Sequence, residues 1–389
     1  MKKRFLPISL LLVIIVLGQS VAIADNGGHY VPRPQGTATA ASFMSDLRVN
    51  QHTGLIDPAC VLKATQSINA KDDAGLYWLS MGPDNMGGQT TAVVFDNRRN
   101  EHNNPNGVVY IGSKGGGVYK TYNHGITWHQ VGDMNLMVSC MVQDADGNIY
   151  VGTGDCGYAA TYNGLEQQGY ENSFVGAGLY RITNDVMTQL VAPTTTEWNF
   201  VNDLAYFCVE NNDGTAEWIL AATNEGLKYS TDKGATWTML IEGRADEVKM
   251  TADNKILASV DGNLYIGTID NMVNHSDASV QYDEDHNIIA LPTAAAILDI
   301  AAAPSDENVI YAACINANGQ HDGFYVSNDK GATWTVILPA ANSAYGHNIY
   351  SSYGLNNHGI VVNPDNAGRL YVCGYDLYEL VKPESGEGN

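Results

Sequence analysis

The sequence is poor in positive charge. Lysine and arginine together number 20 against 42 aspartates and glutamates, which gives a formal net charge of −22 at pH 7. A surface this acidic repels nucleic acid and anionic lipid. Few arginines are present, so few groups are available to clamp an anionic substrate. The charge balance therefore predicts a partner that is neither a nucleic acid nor a membrane.

Long apolar runs are absent beyond the first residues of the chain. Lys2–Arg4 precede the apolar run Leu10–Leu17, and Ala22–Ala24 forms an A-x-A cleavage site. This is the pattern of a secretory signal peptide, and the run is too short for a transmembrane helix. We therefore expect residues 1–24 to be removed and the protein to be exported, without membrane insertion, to the periplasm, the cell surface or the medium of a bacterium.

The six cysteines show no metal-ligating pattern. No two of them are spaced as Cys-x-x-Cys, and no cysteine and histidine are spaced as in a zinc site. The segment Asp144–Asn148 begins like a calcium loop, but Ile149 and Asp155 occupy the positions where that motif requires glycine and glutamate. The sequence therefore predicts no metal site and no cofactor. Disulfide pairing stays open, because export permits it without requiring it.

Three short segments repeat one another almost letter for letter. They are Thr121–Trp128, Ser230–Trp237 and Ser327–Trp334, with the template Ser/Thr-x-Asp/Asn-x-Gly-x-Thr-Trp. The third residue can accept backbone hydrogen bonds, the glycine can adopt a left-handed conformation, and the tryptophan adds packing area. We interpret these boxes as structural turns rather than ligand contacts. Their key residues are Asn123, Gly125, Trp128, Asp232, Gly234, Trp237, Asp329, Gly331 and Trp334.

A weaker repeat of strand patterns runs through residues 77–381. Each of six units contains an apolar strand that ends in an Asn/Asp-rich turn, then two short strands such as Val109–Gly112 and Gly117–Lys120. The six apolar strands are predicted at Thr91–Asp96, Met137–Asp144, Val201–Asn211, Val248–Asp253, Ile297–Pro304 and Gly359–Asp365. Short strands at regular spacing predict an all-β repeat fold. We predict a β-propeller of six four-stranded blades, closed by an N-terminal strand at Trp78. Seven blades is the alternative, with further strands in residues 155–176 or 266–296.

The segments that flank the propeller complete the predicted organisation. Residues 25–76 form an N-terminal extension, helical in part over 40–71, where Asp57 and Pro58 provide a helix start. Residues 77–381 form the propeller itself. Residues 382–389 form a C-terminal tail.

The boxes and the residues around the first of them resemble the Asp-box, or bacterial neuraminidase repeat, family of β-propellers. Trp78–Pro83, Gly87–Gly88 and Gly115–Lys120 are similar to the opening of the sortilin ectodomain, the photosystem II assembly propellers and the xyloglucan-cleaving glycosidases. The resemblance implies the propeller fold. It also implies that the boxes lie on the face opposite the active or binding site. It does not specify an activity, because one fold serves many functions.

Two features of the enzymatic members of that family are missing. In sialidases an Arg-Ile-Pro-type motif indicates the presence of an arginine triad, and this sequence has no such motif. The xyloglucan-cleaving enzymes place a catalytic aspartate directly before the Gly-Gly of the first blade, where this sequence has Lys114. Glycoside hydrolysis requires two facing carboxylates. We therefore predict no catalytic residues.

The loops predicted on one face are rich in tyrosine and histidine. They join the second and third strands of a blade or join successive blades, and tyrosine combines flat apolar area with a hydrogen-bonding tip. One interpretation is that the aromatic residues bind a ligand, and the other is that they anchor the loops. The predicted ligand-binding residues are Lys114, Asp155, Tyr158, Tyr162, Tyr170, Trp198, Tyr345, His347 and Tyr350.

These observations favour a secreted, non-catalytic Asp-box propeller that binds a surface protein or a glycan through its loop-rich face. A divergent glycoside hydrolase of the sialidase or xyloglucanase type is the first alternative. An envelope assembly factor is the second, by analogy with the photosystem assembly propellers.

Overall fold

The structure of the chain is a computed structural model that describes residues 63, 89–98, 107–132, 136–155, 175–194, 197–211, 214–269, 288–289, 291, 295–340, 349–350, 354, 358–374 and 376–381. All of them belong to the unit Val49–Asn389. The predicted signal peptide, the predicted closing strand at Trp78 and the tail lie outside the described residues, as does the extension apart from Lys63. Among the described residues, no helix is long and apolar enough to cross a membrane.

Twenty-three strands in the described residues form six antiparallel sheets, named sheets 1 to 6 in chain order. Sheets 1 to 5 have four strands and sheet 6 has three, and strands adjacent in sequence are adjacent in each sheet. Sheet 1 comprises β1 Thr90–Phe95, β2 Val109–Ser113, β3 Gly117–Thr121 and β4 His129–Val131; sheet 2 comprises β5 Val138–Gln143, β6 Ile149–Thr153, β7 Leu179–Thr183 and β8 Val186–Val191; sheet 3 comprises β9 Val201–Asn211, β10 Gly214–Thr223, β11 Gly226–Ser230 and β12 Thr238–Glu242. Sheet 4 comprises β13 Ala245–Met250, β14 Ile256–Val260, β15 Asn263–Gly267 and β16 Ile288–Ile289; sheet 5 comprises β17 Ile297–Ala302, β18 Ile310–Ile315, β19 His321–Ser327 and β20 Thr335–Leu338; sheet 6 comprises β21 Gly359–Asn363, β22 Asn366–Cys373 and β23 Leu377–Val381.

The hydrophobic core is divided into five clusters, and each cluster lies between two successive sheets. The second strands contribute most to these layers, since every residue of β6, β14 and β18 is buried. A strand covered on both faces is apolar throughout rather than alternating. The fourth strands are more exposed, as in β20. Stability therefore comes from stacking neighbouring sheets face to face.

The first strands of successive sheets lie side by side. β1 contacts β5, β5 contacts β9, β9 contacts β13, β13 contacts β17, and β17 contacts β21. This arrangement of stacked meanders around their first strands is consistent with a β-propeller. Hydrogen bonds join the first strands, from Thr91 to the carbonyl of Val138, from Ser139 to that of Val201, and from Asn202 to that of Ala245. Each of these donors is an extra residue at a β-bulge in its strand.

The predicted pattern of strands is confirmed in all six units. The first predicted strand began at Thr91, and β1 begins at Thr90. One strand start was wrong, because the fourth unit was predicted to begin at Val248 and β13 begins at Ala245. The number of blades and the closure of the ring stay predictions, since the segment that would complete sheet 6 lies outside the described residues.

Each box forms the turn between the third and fourth strands of sheet 1, 3 or 5. In the second box, Asp232 accepts hydrogen bonds from the backbone N–H and the hydroxyl of Thr236, at 2.8 and 2.6 Å. The N–H of Gly234 donates to the hydroxyl of Ser230 at 2.9 Å, and Gly234 is left-handed with a φ of 86°. The same acceptor and glycine bonds recur in the other boxes, at Asn123 and Gly125 and at Asp329 and Gly331.

The box hydrogen bonds predict an acid-sensitive contribution to stability. Hydrogen bonds from Thr236 lower the pKa of Asp232 to about 2. A carboxyl group whose pKa is lower in the folded state stabilises the fold above its unfolded pKa of about 3.9, and this contribution is lost as the pH falls towards 2. Asp232→Asn should therefore flatten the dependence of the melting temperature on pH between 4 and 2. Asp232→Ala should lower the melting temperature further at pH 7, because it also removes the acceptor.

Asparagine is the matched control because the first box already uses Asn123. The Asn123 side-chain oxygen accepts the Thr127 N–H at 2.9 Å, so an amide fits the turn. Melting curves recorded by circular dichroism at several pH values would test the prediction. Identical acid profiles for the wild type and both variants would contradict it.

Candidate functional site

The antiparallel topology separates the loops into two groups at opposite ends of the sheets. The boxes and the turns between first and second strands lie at one end, here called the box end. The turns between second and third strands and the connections between sheets lie at the other, here called the loop end. Lys114 follows β2 and Asp155 follows β6, so both belong to the loop end. The N–H of Lys114 donates to Gln89, just before β1, at 3.0 Å.

Lys114 and Asp155 form an ion pair that joins sheets 1 and 2. Their side chains are 23% and 26% exposed, so each keeps some contact with solvent. Surface ion pairs contribute little to stability because water screens them. The pair instead places a hydrogen-bond donor and an acceptor side by side at the loop end.

The two described aromatic residues of the predicted ligand-binding set are buried. Trp198 packs edge to face against Trp237, with the ring centroids 5.0 Å apart, and the Lys228 ammonium lies 4.7 Å from a Trp198 ring centroid. Tyr350 is fully buried and stacks on Phe324 at 5.8 Å. Both side chains therefore pack as anchors in the structure. The other predicted residues, Tyr158, Tyr162, Tyr170, Tyr345 and His347, lie outside the described residues.

Three acidic residues occupy the same position in the first strands of three successive sheets. Asp203, Glu247 and Asp299 are each the third residue of β9, β13 and β17. Each pairs with a small residue of the neighbouring second strand, namely Ala222, Ser259 and Ala313. Because these first strands contact one another and start at the loop end, the acids form one layer near that end.

His358, directly before β21, completes a cluster with two of these acids. Its Nδ1 lies 3.5 Å from Oδ2 of Asp299. Glu247, Asp299 and His358 each offer one ligand atom, and these atoms lie within 4.8 Å of one another. We call these three residues the axial cluster. Asp299 is 1% exposed, and neither of its carboxylate oxygens has a hydrogen-bond donor of good geometry in the part of the chain that the structure describes.

Burial and mutual repulsion set the electrostatics of the axial cluster. Burial raises the pKa of Glu247 well above its ordinary value, and the negative charge of Asp299 raises it further. The carboxylate of Glu247 accepts one hydrogen bond, from the N–H of Ile300 at 2.7 Å. Burial opposes protonation of His358, but its contact with Asp299 outweighs this and raises the pKa of the imidazole.

A buried tyrosine hydroxyl adjoins the axial cluster. Burial raises the pKa of Tyr350 well above its ordinary value, and the charges of Asp299 and Glu247 add to this effect. No hydrogen-bond partner of good geometry satisfies that hydroxyl among the described residues. Lys249 lies on the other side, where it forms an ion pair with Asp203 and lies 3.9 Å from Glu247.

The sequence gives little indication of the axial cluster, because its residues are far apart in the chain. One pattern does indicate it. In sheets 3, 4 and 5 the third residue of the first strand is acidic, whereas the same position holds Ala92 in sheet 1 and Cys140 in sheet 2. The misplaced start of the fourth unit, at Val248, excluded Glu247 from its strand. Aligning the six units by strand register would have brought the acids together.

Comparisons with known proteins give limited similarity. A family model described as a two component regulator propeller matches residues 132–155. No curated protein sequence matches the chain. Among solved structures, YCF48 bound to D1 peptide is 16% identical with a TM-score of 0.46, and the match covers 80% of this chain and 83% of that chain.

Two further solved structures are similar to a comparable degree. The GH74 xyloglucanase from Xanthomonas campestris is 15% identical with a TM-score of 0.44, and the match covers 78% of this chain but only 53% of the xyloglucanase. A catalytically inactive virginiamycin B lyase from Staphylococcus aureus with quinupristin is 12% identical with a TM-score of 0.45, covering 77% of this chain and 82% of the lyase. The fold assignment therefore rests on the sheet topology of the chain itself.

Proposed function

We propose that this chain is an exported, non-catalytic Asp-box β-propeller that binds a surface protein or a glycan at its loop end. The observation that carries the proposal is the ion pair of Lys114 and Asp155. The sequence predicts both residues as ligand-binding residues, and in the structure they meet across two neighbouring sheets. Export rests on the signal-peptide pattern of residues 1–24, and the Asp-box assignment is supported by the hydrogen bonds that recur in the three boxes.

The ion pair suits recognition of hydroxyl or amide groups. The Lys114 ammonium donates hydrogen bonds and the Asp155 carboxylate accepts them, so together they match a sugar hydroxyl or a peptide group. The two groups lie within contact of each other, so one ligand group can reach both of them. Lys114 and Asp155 lie close to the ends of strands β2 and β6 rather than in the middle of a long loop. Binding groups attached to rigid elements are positioned more precisely than groups on loops.

Burial of Asp299 within the axial cluster supports binding rather than glycoside hydrolysis. Glu247 and Asp299 are two neighbouring carboxyl groups, and the pKa of Glu247 is raised as a general acid requires. Asp299 is closed to solvent, however, so a sugar chain cannot reach it without rearrangement of the first strands. A divergent glycoside hydrolase is accordingly the second candidate.

Removal of the ion pair should abolish most of the binding. We expect Lys114→Ala and Asp155→Ala each to weaken binding by about 10-fold or more, since a hydrogen bond to a charged group contributes about 1.5–3 kcal/mol. Binding would be measured on a glycan array and by pull-down from an envelope extract. The matched control is Lys233→Ala, because Lys233 pairs with Asp146 across sheets 3 and 2 at the box end. That variant should bind as the wild type does.

Two results would contradict this proposal. Equal losses in the Lys114 and Lys233 variants would mean that the binding surface is not at the loop end. Release of reducing sugar from xyloglucan or of sialic acid from sialosides by the wild type would favour the hydrolase.

A further inference from the structure

The axial cluster has the donor set of a transition-metal site. It offers one imidazole nitrogen and two carboxylates from β13, β17 and the residue before β21. Ligand atoms bound to one zinc ion lie roughly 3–4 Å apart, because each is about 2.0–2.2 Å from the metal. The atoms here lie within 4.8 Å of one another, so small side-chain rotations would bring them to that spacing.

Buried polar groups without partners give independent support for a ligand at this place. The Tyr350 hydroxyl is fully buried beside Asp299, and no described residue offers it a hydrogen-bond partner of good geometry. Among the described residues, both carboxylate oxygens of Asp299 also lack a donor of good geometry, although the Tyr350 hydroxyl and His358 lie close to them. Buried polar groups in folded proteins are nearly always satisfied, and exceptions indicate an ion, a water or a functional role. A cation bound by Asp299 would use one oxygen, and the Tyr350 hydroxyl could then donate to the other.

We propose that Glu247, Asp299 and His358 bind one divalent transition-metal ion, with zinc as the expected ion. Calcium and magnesium prefer oxygen ligands, whereas zinc accepts imidazole nitrogen together with carboxylate oxygen. Asp203 is not a ligand, because Lys249 already occupies its carboxylate. Three protein ligands leave at least one coordination position for water.

This inference is independent of the partner proposed above. The metal lies within the layer of first strands, whereas the Lys114–Asp155 pair belongs to sheets 1 and 2. A variant can therefore lose zinc binding and still bind the partner, or lose the partner and still bind zinc. Variants of the axial cluster test the metal alone.

Isothermal titration calorimetry of the full exported chain with zinc chloride, after treatment with EDTA, tests the proposal. We expect one zinc ion per chain, with no comparable binding of calcium or magnesium. Asp299→Asn and His358→Gln should each weaken zinc binding by at least about 100-fold. Their circular dichroism spectra should match that of the wild type, because both replacements preserve side-chain size. Cobalt loaded in place of zinc should give a visible absorption band that both variants lose.

The control addresses zinc bound by surface histidines. His129 is an exposed histidine in β4, so His129→Gln should bind zinc as the wild type does. The proposal is overturned if the wild type binds no zinc. It is also overturned if Asp299→Asn and His358→Gln, with spectra of the folded protein, retain wild-type affinity, which would indicate an adventitious ion only. If both variants fail to fold, the cobalt spectrum of the wild type decides, since a spectrum without nitrogen ligation excludes His358.

Discussion

Replacing Gly178 with alanine should destabilise the protein by roughly 2–5 kcal/mol, because it combines backbone strain with a severe overlap. Gly178 has a φ of 86°, a conformation that side-chain-bearing residues rarely adopt. An added β-carbon would lie 2.0 Å from the carbonyl oxygen of Val191. Val191 pairs with Leu179 in the β7–β8 ladder, so that carbonyl cannot move away without breaking the pairing.

Gly115 provides the matched control for this prediction. It lies in the turn between β2 and β3, and an added β-carbon would meet no atom within 4 Å. Replacing a glycine at a compatible position usually leaves stability unchanged or raises it by about 0.4–1 kcal/mol. Unfolding in urea would measure both variants. Equal stabilities for Gly178→Ala and Gly115→Ala would show that the backbone near Val191 adapts readily.

The same crowding explains why a glycine recurs near the start of the third strand. At Gly226 an added β-carbon would lie 2.4 Å from the carbonyl oxygen of Ile241, and at Gly262 it would lie 2.3 Å from that of Ala295. In each case the glycine lies against backbone at the end of the fourth strand of its sheet or just after that strand. The sequence repeat thus reflects a close backbone approach that recurs from sheet to sheet.

Local patterns predicted the strands and turns well, because the forces that determine them act over a few residues. An apolar segment such as Ile149–Thr153 predicts a strand that is buried on both faces, and the box template predicts a hydrogen-bonded turn. The short outer strand Ile288–Ile289 has no such signal, because it forms through pairing with β15. Its existence depends on the sheet rather than on its own residues.

Features that depend on neighbouring sheets were only partly predictable. The sequence points to Lys114 through its place at the catalytic position of the resembling enzymes and to Asp155 through its loop, but their pairing requires sheets 1 and 2 to be adjacent. The axial cluster requires the register of three sheets, and an error of three residues at Val248 was enough to hide it. The sequence predicts Tyr350 as a ligand-binding aromatic residue in a surface loop. Its side chain instead packs on Phe324, and the sequence does not specify that packing.

Tyr350→Ala should destabilise the protein by about 3–5 kcal/mol, as truncation of a buried aromatic side chain does. Its ring is fully buried, stacks on Phe324 and contacts His321 with the centroids 6.5 Å apart. Alanine would leave a cavity between sheets 5 and 6, where the surrounding cluster includes Ile315 and Ile349. Thermal and urea unfolding would measure the loss, with Leu377→Ala as the control because Leu377 is 70% exposed.

Tyr350→Phe separates the packing of the ring from the role of the hydroxyl. The ring contacts remain, and removal of a buried hydroxyl with no well-placed partner among the described residues should change stability by no more than about 1 kcal/mol. Binding of the surface partner should be unchanged, since the hydroxyl does not reach the surface. Zinc affinity should fall by about 10–100-fold, as expected for a group that orients a metal ligand, here Asp299. A folded Tyr350→Phe variant that binds zinc normally but loses its partner would reverse this assignment, because it would identify Tyr350 as a ligand-binding residue.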